Sequence, residues 1–211
     1  MKIMKKLFLI IILIIAANVG FAQVTLGPMI GFSTSKLSID KNDIKSDLKN
    51  SFQFGAFVRI GRNIYVQPEI NFLTQGSVFK SPGLVGGLSP FEQEVDLKTI
   101  RIPLLLGVKV FNKKVVNVRI FGGPSASIIA DKKIKTTSGT GWISPIKDAD
   151  IEDLIWNIQV GAGVDVLMFT LDVKYNIGLN KVIGDVEIDG NTVKFDSKSS
   201  GFNVTLGWKI F

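Results

Sequence analysis

Eight ionisable residues in this sequence each stand alone in an apolar stretch: Arg59, Glu69, Arg101, Lys109, Arg119, Asp165, Asp172 and Lys174. Carboxylates and lysines can move protons. The chain, however, has no histidine and no cysteine among its 211 residues. It therefore lacks the commonest general base, the commonest metal ligand and all thiol chemistry. A Ser–Lys nucleophile is chemically conceivable, but no constellation of residues points to one. The expected chemistry is ionic pairing. Glu69, Asp165 and Asp172 should pair with some of Arg59, Arg101, Arg119 and Lys174, because buried charges require partners. That network is expected to be structural; its functional alternative is a proton or ion path. No catalytic residue, metal site or cofactor is expected.

The elements that hold these charges alternate with period two, the mark of strands with two different faces. From Leu154 to Leu167, Trp156, Ile158, Val160, Ala162, Val164 and Val166 face Asn157, Gln159, Gly161, Gly163 and Asp165. From Phe169 to Leu179, Leu171, Val173, Tyr175 and Ile177 alternate with Thr170, Asp172, Lys174 and Asn176. Phe202, Val204, Leu206, Trp208 and Ile210 alternate with Asn203, Thr205, Gly207 and Lys209. Noisier runs begin at Val24, Phe52, Ile64, Thr99 and Val116, and the first is the weakest. In the Thr99 run, Arg101, Lys109 and Phe111 share the polar parity. Together these runs make eight strands.

Long and short connections alternate between them. Long polar loops are expected over 34–51, 76–96, 130–153 and 180–200. Tight turns are expected at Gly61-Arg62-Asn63, Asn112-Lys113-Lys114 and Leu167-Met168. An up-and-down outer-membrane barrel has this rhythm, with short periplasmic turns and longer outer loops.

Face chemistry separates a membrane barrel from a soluble one. The polar parity holds glycine, small polar residues and isolated charges of both signs, which suits a narrow eight-stranded lumen. The apolar parity is large, β-branched and aromatic. Phe169 and Trp208 fall near one set of strand ends, and Phe52, Phe72, Trp156 and Phe202 near the other, as two interfacial girdles would. The expected fold is therefore all-β: an eight-stranded antiparallel up-and-down transmembrane β-barrel.

Residues 1–22 read as a secretory signal peptide. Lys2, Lys5 and Lys6 precede the apolar run Leu7–Ala17, and Gly20-Phe21-Ala22 supplies small residues for cleavage before Gln23. The barrel domain is then 23–211. Three of the 25 basic residues leave with the signal, so 22 remain against 18 acidic ones and the net charge falls from +7 to +4. That excess does not argue for nucleic acid. No apolar run after the signal is long enough for a spanning helix.

Several segments together resemble a known family. They are Ile102-Pro103-Leu104-Leu105-Leu106-Gly107, Phe121-Gly122-Gly123-Pro124, Gly161-Ala162-Gly163, Leu171 through Tyr175-Asn176 to Gly178-Leu179, and the closing stretch Val204 to Phe211. In order and spacing they resemble the PorT-type outer-membrane β-barrel domain proteins of Gram-negative bacteria. The resemblance implies a barrel fold, residence in the outer membrane and insertion by the barrel assembly machinery. It implies no catalytic signature, and the namesake's link to a secretion apparatus is not carried over.

The expected protein is thus a non-enzymatic outer-membrane barrel with a lumen filled by side chains. Its expected partners are outer-membrane lipid, the assembly machinery during insertion, and an envelope or secretion-system protein met by the outer loops. Two loop features stand out. Asp148, Asp150, Glu152 and Asp153 form an acidic cluster without the regular spacing of a Ca²⁺ loop. Residues 185–195 read as an extra hairpin turning at Asp189-Gly190, which can offer an edge to a partner strand. The alternative is a soluble periplasmic lipocalin-like barrel with an apolar ligand inside. Trp208, Ile210 and Phe211 form the expected C-terminal insertion signal. There Phe211 sits one residue off the apolar parity, so either Ile210 takes the last lipid-facing place or the strand bulges near Gly207.

Overall fold

The computed structural model describes residues 23–38, 45–81, 91–113, 115–139, 151–188 and 191–210. The expected signal peptide and Phe211 lie outside the described residues. Among the described residues nine strands follow in order: β1 (Val24–Ser38), β2 (Lys45–Gly61), β3 (Ile64–Ser81), β4 (Phe91–Asn112), β5 (Val116–Gly139), β6 (Leu154–Val166), β7 (Phe169–Gly178), β8 (Ile183–Ile188) and β9 (Asn191–Trp208). Each of β1 to β6 pairs antiparallel with the next. β7 pairs with β9, and β9 closes on β1. These eight strands form a closed barrel. β8 pairs only with the first part of β9, Ile188 opposite Asn191, and makes the small hairpin expected there.

Period two decides which side chains enter the barrel. Along β6 and β7 every second residue is buried with few breaks. The buried set is polar: Asn157, Gln159, Asp165, Thr170, Asp172, Lys174 and Asn176. The exposed set is apolar and includes Trp156, Ile158, Val160, Leu171, Val173 and Ile177. The barrel is therefore inside-out relative to a soluble one, which removes the physical basis for an apolar ligand in the spanning lumen. Of the aromatic residues expected at the strand ends, Phe169 faces Trp208 in register at the short-turn end, while Phe52, Phe72, Trp156 and Phe202 are exposed nearer the other end.

The short turns agree with the expected positions. Between β6 and β7 the turn is only Leu167-Met168, and Leu167 takes a φ of 51°, as a two-residue hairpin of this kind demands. At the C-terminus the β7–β9 register runs unbroken from Ser200 to Trp208, without a bulge at Gly207. Ile210 donates its N–H to Leu26 O at 2.8 Å and stays exposed, so it takes the last outward place.

Two expectations need correction. Strand structure runs far into the stretches expected to be loops, because β3, β4 and β5 continue to Ser81, from Phe91 and to Gly139. β4 has 22 residues and β5 has 24, against the roughly 9–11 needed to cross a bilayer. The reason is that the face code reverses along these strands. Outward residues change from Phe72 to Thr74 and from Ile100 to Lys98, while inward ones become Leu73, Leu97, Val95 and Ile129. Alternation persists across the reversal, but its apolar parity does not. The second correction is Phe111. A register shift between Lys109 and Phe111 turns both Val110 and Phe111 outward.

Candidate functional site

The inward charges come from strands far apart in sequence, and barrel closure brings most of them together. At the short-turn end Asp165 on β6 stands between two guanidinium groups. Arg59 Nη1 on β2 lies 3.0 Å from Asp165 Oδ2, and Arg119 Nε on β5 lies 3.1 Å from Oδ1. Arg119 also pairs with Asp172 on β7 and donates to Tyr65 Oη at 3.1 Å and Thr170 Oγ1 at 2.5 Å. All four charged side chains are almost fully buried.

Gln67 links this group to a second pair. Its Oε1 accepts from Arg59 Nε at 2.7 Å, and its Nε2 donates to Glu69 Oε1 at 2.7 Å. Lys174 Nζ reaches both Glu69 oxygens at 2.6 Å, and Asn71 adds a donor to Oε2 at 3.0 Å. One chain of ion pairs and hydrogen bonds thus runs from Asp172 through Arg119, Asp165, Arg59 and Gln67 to Glu69 and Lys174, with Arg119 and Asp165 joined by charge alone. Every carboxylate in it is held by a cation, which is what burial of charge requires.

Arg101 is placed differently. Its Nε donates to Ser127 Oγ at 3.2 Å and its Nη2 to Gln75 Oε1 at 2.9 Å. With the Asn203 amide turned so that its oxygen faces donors, that oxygen accepts from Arg101 Nη1 at 3.1 Å and Asn176 Nδ2 at 2.9 Å. Neutral acceptors hold this guanidinium, and no carboxylate among the described residues pairs with it. Lys109 also stays outside the network. It is half-buried at the short-turn rim, opposite Arg119 in the strand register.

The sequence reading missed the aromatic rings between these charges. Phe57, Tyr65 and Phe121 lie on the charged parity and are buried. The Arg59 guanidinium lies 5.5 Å from the Phe57 ring centre and 5.1 Å from that of Tyr65. Arg119 lies 5.8 Å from Tyr65 and 5.6 Å from Phe121, and Lys174 lies 5.9 Å from Phe121. Rings at this range attract cations and fill volume. The signal was present in the parity. The glycines on the same parity make room for these groups. A Cβ on Gly107 would run into Tyr65, one on Gly161 would approach Phe121 at 2.7 Å, and one on Gly207 would approach Phe57 at 2.9 Å. One on Gly163 would strike Asp172 and Arg119.

Above Arg101 the interior becomes richer in apolar side chains, with Gln75 and Thr99 buried among them. Leu73, Val95, Leu97, Ile129, Ile151, Ile155 and Val182 are all buried there. Backbone bonds from Ile129 N to Asp153 O at 2.9 Å and from Glu152 N to Val182 O at 3.0 Å fold residues 151–153 and 182 across this end. The lumen is thus occupied by ionic pairs and rings below and by an aliphatic cluster above. Asp148 and Asp150 of the acidic cluster lie outside the described residues, and Asp153 is bound by Lys132 at 2.7 Å.

On the outer surface of β4 and β5, Lys98 Nζ meets Asp131 Oδ2 at 2.9 Å. The hydrogen bond from Lys98 holds the Asp131 carboxyl below its ordinary pKa.

Among solved structures, the chain is similar to Ail, the attachment invasion locus protein of Yersinia pestis, in complex with the heparin analogue sucrose octasulfate. The identity is 13%, the match covers 89% of this chain and 99% of that one, and the TM-score is 0.45. It is also similar to Neisserial surface protein A, at 10% identity, 89% and 99% coverage and a TM-score of 0.45. The outer membrane protein AlkL in DMPC lipid bilayers matches at 15% identity, 89% and 90% coverage and a TM-score of 0.41. No curated protein matches the sequence. A model of the outer membrane protein beta-barrel domain matches residues 21–184, most of the chain. The polar lumen and apolar exterior agree with that match, and the chain belongs to the outer membrane protein beta-barrel domain family and resides in the bacterial outer membrane.

Proposed function

We propose that this protein is a non-catalytic outer-membrane barrel with a closed lumen that acts through the strand extensions at its long-loop end, turned to the cell exterior. The observation that carries this reading is the bonded network that crosses the lumen. Arg59, Arg119, Asp165, Asp172, Glu69 and Lys174 are bonded to one another, and the aliphatic cluster around Leu97 lies above them. Eight strands leave an interior only wide enough for side chains. The absence of histidine and cysteine, and the use of each lumen carboxylate in an ion pair, support a non-enzymatic role.

The finer family placement is PorT-type, supported by the Ile102–Gly107, Phe121–Pro124 and Gly161–Gly163 segments in their order along the chain. In this reading residues 1–22 direct export, Trp208, Ile210 and Phe211 serve insertion by the assembly machinery, and the host is Gram-negative. The β8–β9 hairpin and the long β4–β5 extension are the surfaces offered to an envelope or secretion-system protein. Their strand edges supply main-chain donors and acceptors that suit an extended partner segment.

The test is reconstitution into planar bilayers and liposomes. The expected result is no stepwise conductance and no entry of small sugars, with slow gel migration after boiling and fast migration before. Steady channel currents would overturn the closed lumen. A deletion of 185–195 that left partner pull-downs unchanged would remove β8 from the interaction surface.

A further inference from the structure

Among the described residues four cations are almost fully buried inside the barrel: Arg59, Arg101, Arg119 and Lys174. Three buried carboxylates face them: Glu69, Asp165 and Asp172. Arg59, Arg119 and Lys174 pair with all three. One positive charge is left over, and it is Arg101. Glu69 acts on it only through space and is bonded to Lys174. A barrel wrapped by lipid gives a buried charge little water to screen it, so an uncompensated guanidinium there is costly.

The surroundings of Arg101 are small and neutral. Ser127 Oγ, Gln75 Oε1 and the Asn203 amide oxygen accept three of its five N–H groups. One N–H on each terminal nitrogen remains. The acceptors are themselves anchored: Asn157 Nδ2 donates to Ser127 Oγ at 3.1 Å, and Asn203 Nδ2 donates to Ser33 Oγ at 2.6 Å. Gln75 is only 1% exposed, yet its Nε2 has no partner, while Oε1 of the same amide bonds Arg101. Buried donors in native interiors nearly always find an acceptor. Two guanidinium N–H groups and an amide NH2 are thus left beside one unpaired charge. Room is left as well. Rings crowd Arg59, Arg119 and Lys174, whereas serine and asparagine surround Arg101.

We infer that Arg101 and the Gln75 amide bind a small inorganic anion inside the barrel, of the size and charge of chloride. The anion gives Arg101 the counter-charge that each other buried cation takes from a carboxylate. Its charge follows from the single positive excess. Its small size follows from its place, between the ionic network below and the aliphatic cluster above. A halide also suits these donors, because it accepts N–H groups from any direction. Asn71 Oδ1 and Asn176 Oδ1 are buried acceptors without partners. They suit the hydration water of the anion, which can donate to both.

The experiment measures the folding equilibrium of the full protein in bilayers by urea titration. Sodium chloride replaces sodium gluconate at constant ionic strength, and gluconate is too bulky for the site. A tenfold rise in chloride is expected to raise the folding constant about five- to tenfold, the linkage of one bound anion. Gln75→Met should move that dependence to higher chloride. Asn203→Asp sets a carboxylate of the same shape beside Arg101 Nη1 and should abolish the dependence with the barrel intact. Arg101→Gln should abolish it too, and Lys113→Gln, at the short-turn rim, should keep it. A folding constant of the unmodified protein that ignores chloride would overturn the site. So would a dependence that survives Asn203→Asp, or one that survives Arg101→Gln.

Discussion

Glu69 and Val95 both point into the same barrel, from adjacent strands, yet their surroundings are opposite in chemistry. Glu69 lies in a lumen of ion pairs and amides; Val95 lies in an aliphatic cluster with Leu97, Ile129 and Val182. What differs is the medium outside. Around Glu69 the outer face is Ile70, Leu104 and Phe72 against lipid, so the hydrophobic effect gives no inward drive and polar pairing organises the interior. Around Val95 the outer face is Glu94, Asp96 and Lys98 against water, and burial of aliphatics regains its usual force. One continuous strand thus carries a membrane-protein code and a soluble-protein code in succession.

The sharpest way to break this comparison is to remove one charge from the lower lumen. Glu69→Gln strands Lys174 and should cost about 3–5 kcal/mol, measured by urea unfolding in bilayers. The double change Glu69→Gln with Lys174→Met should recover most of that loss. A similar loss in single and double variants would mean the pair is not the unit of stability.

Leu97→Ala tests the upper region. A cavity in a soluble-like core should cost about 2–5 kcal/mol. Here the damage should be confined to the extension. Limited proteolysis is expected to cut the β4–β5 extension faster, while the unboiled protein still migrates as a folded barrel. Loss of the folded band would show that the two regions unfold together.

Outward positions should show a gradient. Leu104→Lys, in the apolar band, should cost roughly 2–4 kcal/mol, whereas Thr74→Lys, just past the reversal, should cost about 0–1 kcal/mol. Equal costs would place the membrane boundary elsewhere.

The smallest effect is electrostatic and lies at that boundary. The Asp131 carboxyl is held low by Lys98, so the pair stabilises the fold above the ordinary carboxylate pKa. That contribution fades as pH falls through the lowered value, and Lys98→Gln should abolish the difference. An NMR titration of the Asp131 carboxyl checks the direction.

The eight barrel strands were legible because period two is local. Asp165, Asp172 and Lys174 could be assigned inward from their immediate neighbours. The extensions of β3, β4 and β5 were not legible as strands, because the apolar parity reverses between Phe72 and Leu73 and between Ile100 and Leu97. Apolar parity ends at that point, although the strand backbone continues. Lys109 shares the charged parity but sits too near the rim to join the pairs. Depth along the barrel, unlike face, is not set by alternation.

By itself the sequence determined the alternation, the hairpin rhythm and, away from register shifts such as the one at Phe111, the side of the wall a residue occupies, since these follow from neighbours two residues apart. Only closure of the barrel decided who meets whom inside. Glu69 and Lys174 are 105 positions apart, and Arg59 and Asp165 are 106 apart. Their meeting depends on strand tilt and stagger around the whole ring, which no single strand encodes. The same closure left Arg101 among neutral acceptors.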